Sequence, residues 1–93
     1  MSKRRDYGDP IYKQFRLEVL KRDKYACQMC NKKGRNVSLN VHHIIKWSSA
    51  SSLRHDTDNG ITLCRGCHKS VTGKESHYVS YFNEIVRRNK NER

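Results

Sequence analysis

A small α+β domain, stapled through its cysteines and flanked by helices, is the fold the sequence predicts, on three observations. Two Cys-x-x-Cys pairs, Cys27/Cys30 and Cys64/Cys67, bracket the middle of the chain. Between them, Val37, Leu39 and Val41 alternate with Ser38 and Asn40, and Ile61-Thr62-Leu63 forms a second short run, the patterns of two strands. Outside them, apolar residues recur at helical spacing on both sides. At 93 residues the chain has room for one domain, read here as 1–93, with a motif core at about 25–73.

Each element has its own signal. Asp9-Pro10 reads as an N-cap and first helical residue. Ile11, Tyr12, Phe15, Val19 and Leu20 then follow near helical spacing, predicting a helix over about 10–22. Asp23-Lys24 ends it, and the first cysteine pair follows. Gly34-Arg35-Asn36 marks a turn before a strand that runs into His42-His43-Ile44-Ile45. The Ser-rich stretch from Ser48, continuing to Gly60, reads as the long loop of a hairpin, because neither flank is large enough to fold alone. The second cysteine pair opens a short helix ending near Gly73. A last helix, about 75–89, carries Tyr78, Tyr81, Phe82 and Ile85 at i, i+3, i+4 and i+7, and its polar tail is expected to fray.

Composition narrows the function. Twenty Lys and Arg against nine Asp and Glu give a formal charge of +11, which asks for a polyanion, and nucleic acid is the expected partner. Only 34% of the residues are hydrophobic, so burial alone is a thin source of stability for a chain this short. No apolar run approaches the roughly 18 residues of a membrane span, and the basic opening Met1-Ser2-Lys3-Arg4-Arg5 leads into no signal-peptide core. The expectation is a cytoplasmic protein, with no membrane partner.

Two matched Cys-x-x-Cys knuckles can present four thiolates tetrahedrally to one Zn²⁺. Disulfides fit poorly in a chain without a secretion signal, and a thioredoxin-like redox role needs one such pair rather than two. Four thiolates close the coordination shell, so Cys27, Cys30, Cys64 and Cys67 are expected to hold a structural zinc. The loaded domain stays strongly basic.

Inside that clip lie His42, His43, Asn59 and His68. Consecutive strand residues point to opposite faces, so one of His42 and His43 can bind a metal while the other faces elsewhere. Val41-His42-His43-Ile44, then Asn59-Gly60-Ile61-Thr62-Leu63-Cys64, then Cys67-His68 resemble the His-Asn-His (HNH) endonuclease motif. The lead-in from Val19 to Cys30 is similar to the entry of the subgroup with two zinc knuckles. The resemblance spans roughly Phe15 to Phe82 and implies a ββα-metal (His-Me finger) fold.

It also implies a division of labour. His42 and His68 would bind one catalytic divalent cation, His43 would take a proton from the attacking water, and Asn59 would brace the hairpin loop and so orient His43. Water and phosphate oxygens would complete the shell. The activity implied is metal-dependent hydrolysis or nicking of DNA, leaving 5′-phosphate and 3′-hydroxyl ends. Imidazole ligands suit Mn²⁺, Ni²⁺, Co²⁺ or Zn²⁺ better than Mg²⁺. Many relatives carry Asp where this chain has His42, and some carry a further His where it has Thr72. Lys46, Arg54, Arg65 and Lys69 surround the motif and are candidate phosphate contacts. His55 and His77 read as surface residues, Trp47 as loop packing, and Glu75 as a cap of the last helix. The alternative function is a non-catalytic nucleic-acid-binding module, or an accessory subunit of a larger machine such as a phage packaging complex. Duplex DNA bound with weak sequence specificity is the expected partner; target sequence and oligomeric state have no signature.

Overall fold

In the computed structural model, which describes residues 10–45 and 56–91, a two-stranded ribbon is covered on both faces by helices. Helix α1 (Pro10–Arg22) comes first, then strand β1 (Leu39–His43), strand β2 (Gly60–Cys64), helix α2 (Arg65–Val71) and helix α3 (Val79–Asn91). Single 3-10 turns precede β2 (Thr57–Asn59) and α3 (Glu75–His77). Asp9, Lys46, Trp47, Arg54, His55 and the Ser-rich stretch lie outside the described residues.

The strands are antiparallel, with Leu39 opposite Cys64, Val41 opposite Thr62, His42 opposite Ile61 and His43 opposite Gly60. The pleat sorts their side chains into two cores. Val41 joins Tyr12, Phe15, Val19 and Leu20 of α1 on one face. On the other face Ile44, Ile61 and Leu63 pack with Val71 of α2 and with Phe82, Ile85 and Val86 of α3. Burial on both faces explains why Gly60–Cys64 reads as a continuous short run rather than a polar–apolar alternation.

Two expectations change. The last helix begins at Val79 rather than near 75, because Glu75–His77 winds as a 3-10 turn, and it continues to Asn91 through the tail expected to fray. Its inward face is Phe82, Ile85 and Val86, while Tyr81 is exposed and Tyr78 precedes the helix. On α1, Ile11 is likewise exposed. In both helices the inner stripe is narrower than the apolar residues on the sequence suggest.

A buried ion pair locks the two faces together. The Arg22 guanidinium grips the Asp23 carboxylate in two-pronged fashion, Nε to Oδ1 at 2.8 Å and Nη2 to Oδ2 at 2.9 Å, with both side chains almost fully buried. Arg22 also donates to the carbonyls of Thr57 and Gly60. Asp23 Oδ2 accepts from the Thr62 N–H and Oδ1 from Asn89 Nδ2, whose amide reaches Gln28 Oε1 as well. This network joins the end of α1, the first knuckle, β2 and α3. Every oxygen of the carboxylate is satisfied, which is the condition for a buried charge to be tolerated.

Asp23→Ala leaves the Arg22 charge buried without its partner, so it is expected to cost about 3–5 kcal/mol. Urea unfolding of the zinc-loaded protein measures this; a loss below about 1 kcal/mol would place the pair among contacts of surface strength.

Candidate metal centre and histidine site

The first knuckle is formed by a sharp change of direction after α1. Lys24 and Tyr25 both adopt left-handed backbone angles, φ 58° and 55°, and Asn31 does so at 66° on leaving the knuckle. The second knuckle needs no such turn, because Cys64 ends β2 and its sulfur caps α2 by accepting from the Cys67 N–H at 3.4 Å. The Cys30 N–H points at Cys27 Sγ in the same way, at 3.5 Å.

The four sulfurs of Cys27, Cys30, Cys64 and Cys67 all lie within 4.8 Å of one another. Cys30 Sγ and Cys64 Sγ are 3.6 Å apart, against about 3.8 Å for two thiolates on a tetrahedral zinc with Zn–S bonds of about 2.3 Å. All four cysteines are free thiols. Burial acts to raise the Cys27 thiol, but backbone N–H groups of Cys30, Cys64 and Met29 more than offset it and bring it down to about 6. The backbone N–H of Cys67 holds Cys64 below its usual value. Cys67 is pushed up, by burial and then by the neighbouring sulfurs. Thiolates are thus favoured at two positions while a further negative charge is resisted. A divalent cation removes that conflict. The donor set and the spacing fit zinc, with no open position for substrate.

The histidines sit on the same ribbon. His42 and His43 are consecutive at the end of β1 and project to opposite faces, as expected. The His42 ring meets the His68 ring of α2 edge-on at 5.4 Å between centroids, and Phe82 of α3 packs edge-on against it at 5.5 Å. Two imidazoles sharing one ion through N–metal bonds of about 2.1 Å have centroids on the order of 5 Å apart, so this pair fits a shared cation. Tyr78 stacks on the Phe82 ring. On the α1 face the His43 ring stacks on Phe15, centroids 5.1 Å apart and planes within 16°. Phe15 and Phe82 were legible in the sequence only as core positions; nothing there tied them to the histidines.

Asn59 is buried and makes a two-way clamp on the residue that follows the strand by two. Its Oδ1 accepts from the Ile45 N–H at 2.8 Å and its Nδ2 donates to the Ile45 carbonyl at 3.2 Å, while its own carbonyl accepts from the Ile44 N–H. Arg65 and Lys69 are exposed on α2, the helix that carries His68. Thr72 Oγ1 donates to the His68 carbonyl. Glu75 accepts from the Gly73 N–H and closes the turn after α2. His77 is exposed.

Residues 27–74, just over half of the chain, match the HNH endonuclease family. The chain belongs to the HNH endonuclease family. It is 32% identical over 84 residues to the type IV methyl-directed restriction enzyme EcoKMcrA of Escherichia coli (strain K12). That similarity covers 84% of this chain and 27% of the enzyme, so the chain spans about a quarter of its relative's length. No solved structure matches the chain significantly. The α+β ribbon between helices and the cysteine cluster are those of an HNH ββα-metal fold.

Purified protein is expected to hold one zinc per chain. Cys64→Ser is expected to lose both the metal and the folded state, because binding energies of about 10–16 kcal/mol in zinc-finger peptides match or exceed the stability of a small domain. The ligands must be deprotonated, so zinc affinity falls as pH falls. Metal analysis together with circular dichroism checks all three; a zinc-free Cys64→Ser protein that folds like the parent contradicts the assignment.

Proposed function

We propose that this HNH domain is a metal-dependent DNA endonuclease or nicking enzyme, folding as one unit around a structural zinc. The observation that carries the proposal is the meeting of His42 and His68, from a strand and a helix, beside a second strand histidine that is turned the other way. Family membership and the +11 charge support a phosphodiester substrate in nucleic acid.

In this reading His42 and His68 would hold one divalent cation, with room beside it for water and phosphate oxygens. Such a cation would supply positive charge where negative charge grows on the phosphate and the departing oxygen. His43 accepts the proton of the attacking water, a task suited to a neutral imidazole. The water oxygen bonds to phosphorus as the bond to the 3′ oxygen breaks, giving 5′-phosphate and 3′-hydroxyl ends. Asn59 orients His43 by fixing the main chain just after it. Arg65 and Lys69 contact phosphates, with Lys46 and Arg54 as further candidates. Mn²⁺, Ni²⁺, Co²⁺ or Zn²⁺ serves better than Mg²⁺ at two imidazoles. Duplex DNA binds with weak sequence preference, since phosphate contacts dominate a basic surface.

Supercoiled plasmid incubated with zinc-loaded protein and each of these cations tests the reading. His43→Ala is expected to keep zinc, fold and DNA affinity while cleavage falls by about 10²–10⁴-fold. His42→Ala and His68→Ala are expected to be partly restored by more Mn²⁺ or Ni²⁺. Asn59→Ala is expected to fall between. If the parent fails to cut with every one of these cations, the non-catalytic binding module is the better description; if His43→Ala cuts as fast as the parent, His43 is not the base.

Affinity for duplex DNA is expected to fall linearly on a log–log plot against salt, at about 0.9 per phosphate neutralised. Fluorescence anisotropy at several salt concentrations measures the slope, and a flat line contradicts the electrostatic account.

A further inference from the structure

We propose that Phe15 is a positioning residue for His43: helix α1 supplies a flat aromatic wall that sets the plane of the imidazole, and Gly60 is the opening that admits it. The proposal rests on the reading of His43 as the base. The two rings are nearly parallel, within 16°, at a centroid distance of 5.1 Å. Phe15 is 2% exposed and is held in turn by Tyr12, Val19 and Val41.

The opening is cut into the opposite strand. Gly60 pairs with His43 across the ribbon, so a side chain at 60 would stand beside His43 on the α1 face. A Cβ there would lie 2.8 Å from Phe15 Cζ and 2.9 Å from Val19 Cγ2. Any side chain at 60 therefore forces the Phe15 and Val19 side chains to shift, and with Phe15 the wall beside His43.

The wall acts on a different part of His43 from the Asn59 clamp. The Asn59 side-chain hydrogen bonds to the main chain of Ile45 fix where β1 ends. The ring torsion of a histidine is broad and roughly two-fold. A parallel aromatic face restricts that torsion, whereas a branched aliphatic side chain of similar volume fills the core without doing so. One group sets the backbone of the base and the other its plane.

The test is a double-mutant comparison of Phe15→Leu in the parent and in His43→Ala, by single-turnover nicking at saturating Mn²⁺ with zinc-loaded protein. In the parent, Phe15→Leu is expected to slow cleavage about 10–100-fold, as a misplaced group does, with zinc content and DNA affinity kept. In His43→Ala it is expected to change the residual rate by no more than about twofold. An equal loss in both backgrounds, or none in the parent, overturns the positioning role. If His43→Ala itself cuts like the parent, the base assignment has failed instead. A measurement on the unaltered protein covers the case where Phe15→Leu does not fold. In a ¹H–¹³C spectrum of zinc-loaded protein, the His43 ring protons are expected upfield of those of exposed His77, and Gly60→Ala is expected to abolish the difference. His43 shifts equal to those of His77 in the parent overturn the stack.

Discussion

Four sulfur atoms decide where everything else can be. They draw the segment after α1 against the junction of β2 and α2, so the first knuckle, the ribbon and the second helix become one body. Apolar burial does not carry this task alone: the ribbon has two strands, and each of its faces meets only a small cluster of side chains. A two-stranded hairpin in isolation is marginal in water. The clamp also sets the position of a histidine next to it. His68 follows Cys67 directly, so the contacts that fix Cys64 and Cys67 at the start of α2 also aim His68 at His42.

The ribbon then turns one dipeptide into two different groups. His42 and His43 are neighbours in sequence, yet one faces α2 and α3 and the other faces α1. Each is met by a phenylalanine from a different helix, edge-on for His42 and face-on for His43. This is how a chain with a thin core obtains two distinct environments within a single step along a strand. The buried Arg22–Asp23 pair works at the same scale, since its hydrogen bonds run to the start and the middle of β2 and across to α3.

The local parts of this arrangement were legible in the sequence. Helix α1 covers Pro10–Arg22 and ends where the Arg22-Asp23 boundary indicates, and β2, α2 and the cysteine cluster fall where spacing puts them. These follow from periodicity and from residue types with few alternatives. The illegible parts depend on partners distant in the chain. Asp23 reads as a helix stop, but its burial is decided by Thr62 and Asn89. Left-handed Lys24 and Tyr25 carry no residue-type signal, because neither is the Gly or Asn that such angles favour. On α3 the aromatic Tyr81 outranks Val86 as a core candidate by size, yet the stripe that packs on the ribbon runs through Phe82, Ile85 and Val86. Of the candidate site, the histidines and Asn59 were visible as a motif, while their ring neighbours were visible only as apolar residues.

If the sulfur clamp is the element on which ribbon and histidines depend, folding must follow metal. Stepwise addition of Zn²⁺ to metal-free, reduced protein, followed by near-ultraviolet circular dichroism, tests this directly. The account predicts a weak, unstructured aromatic signal at the outset and a single transition complete at one equivalent of zinc. A full native signal before any metal is added would contradict it.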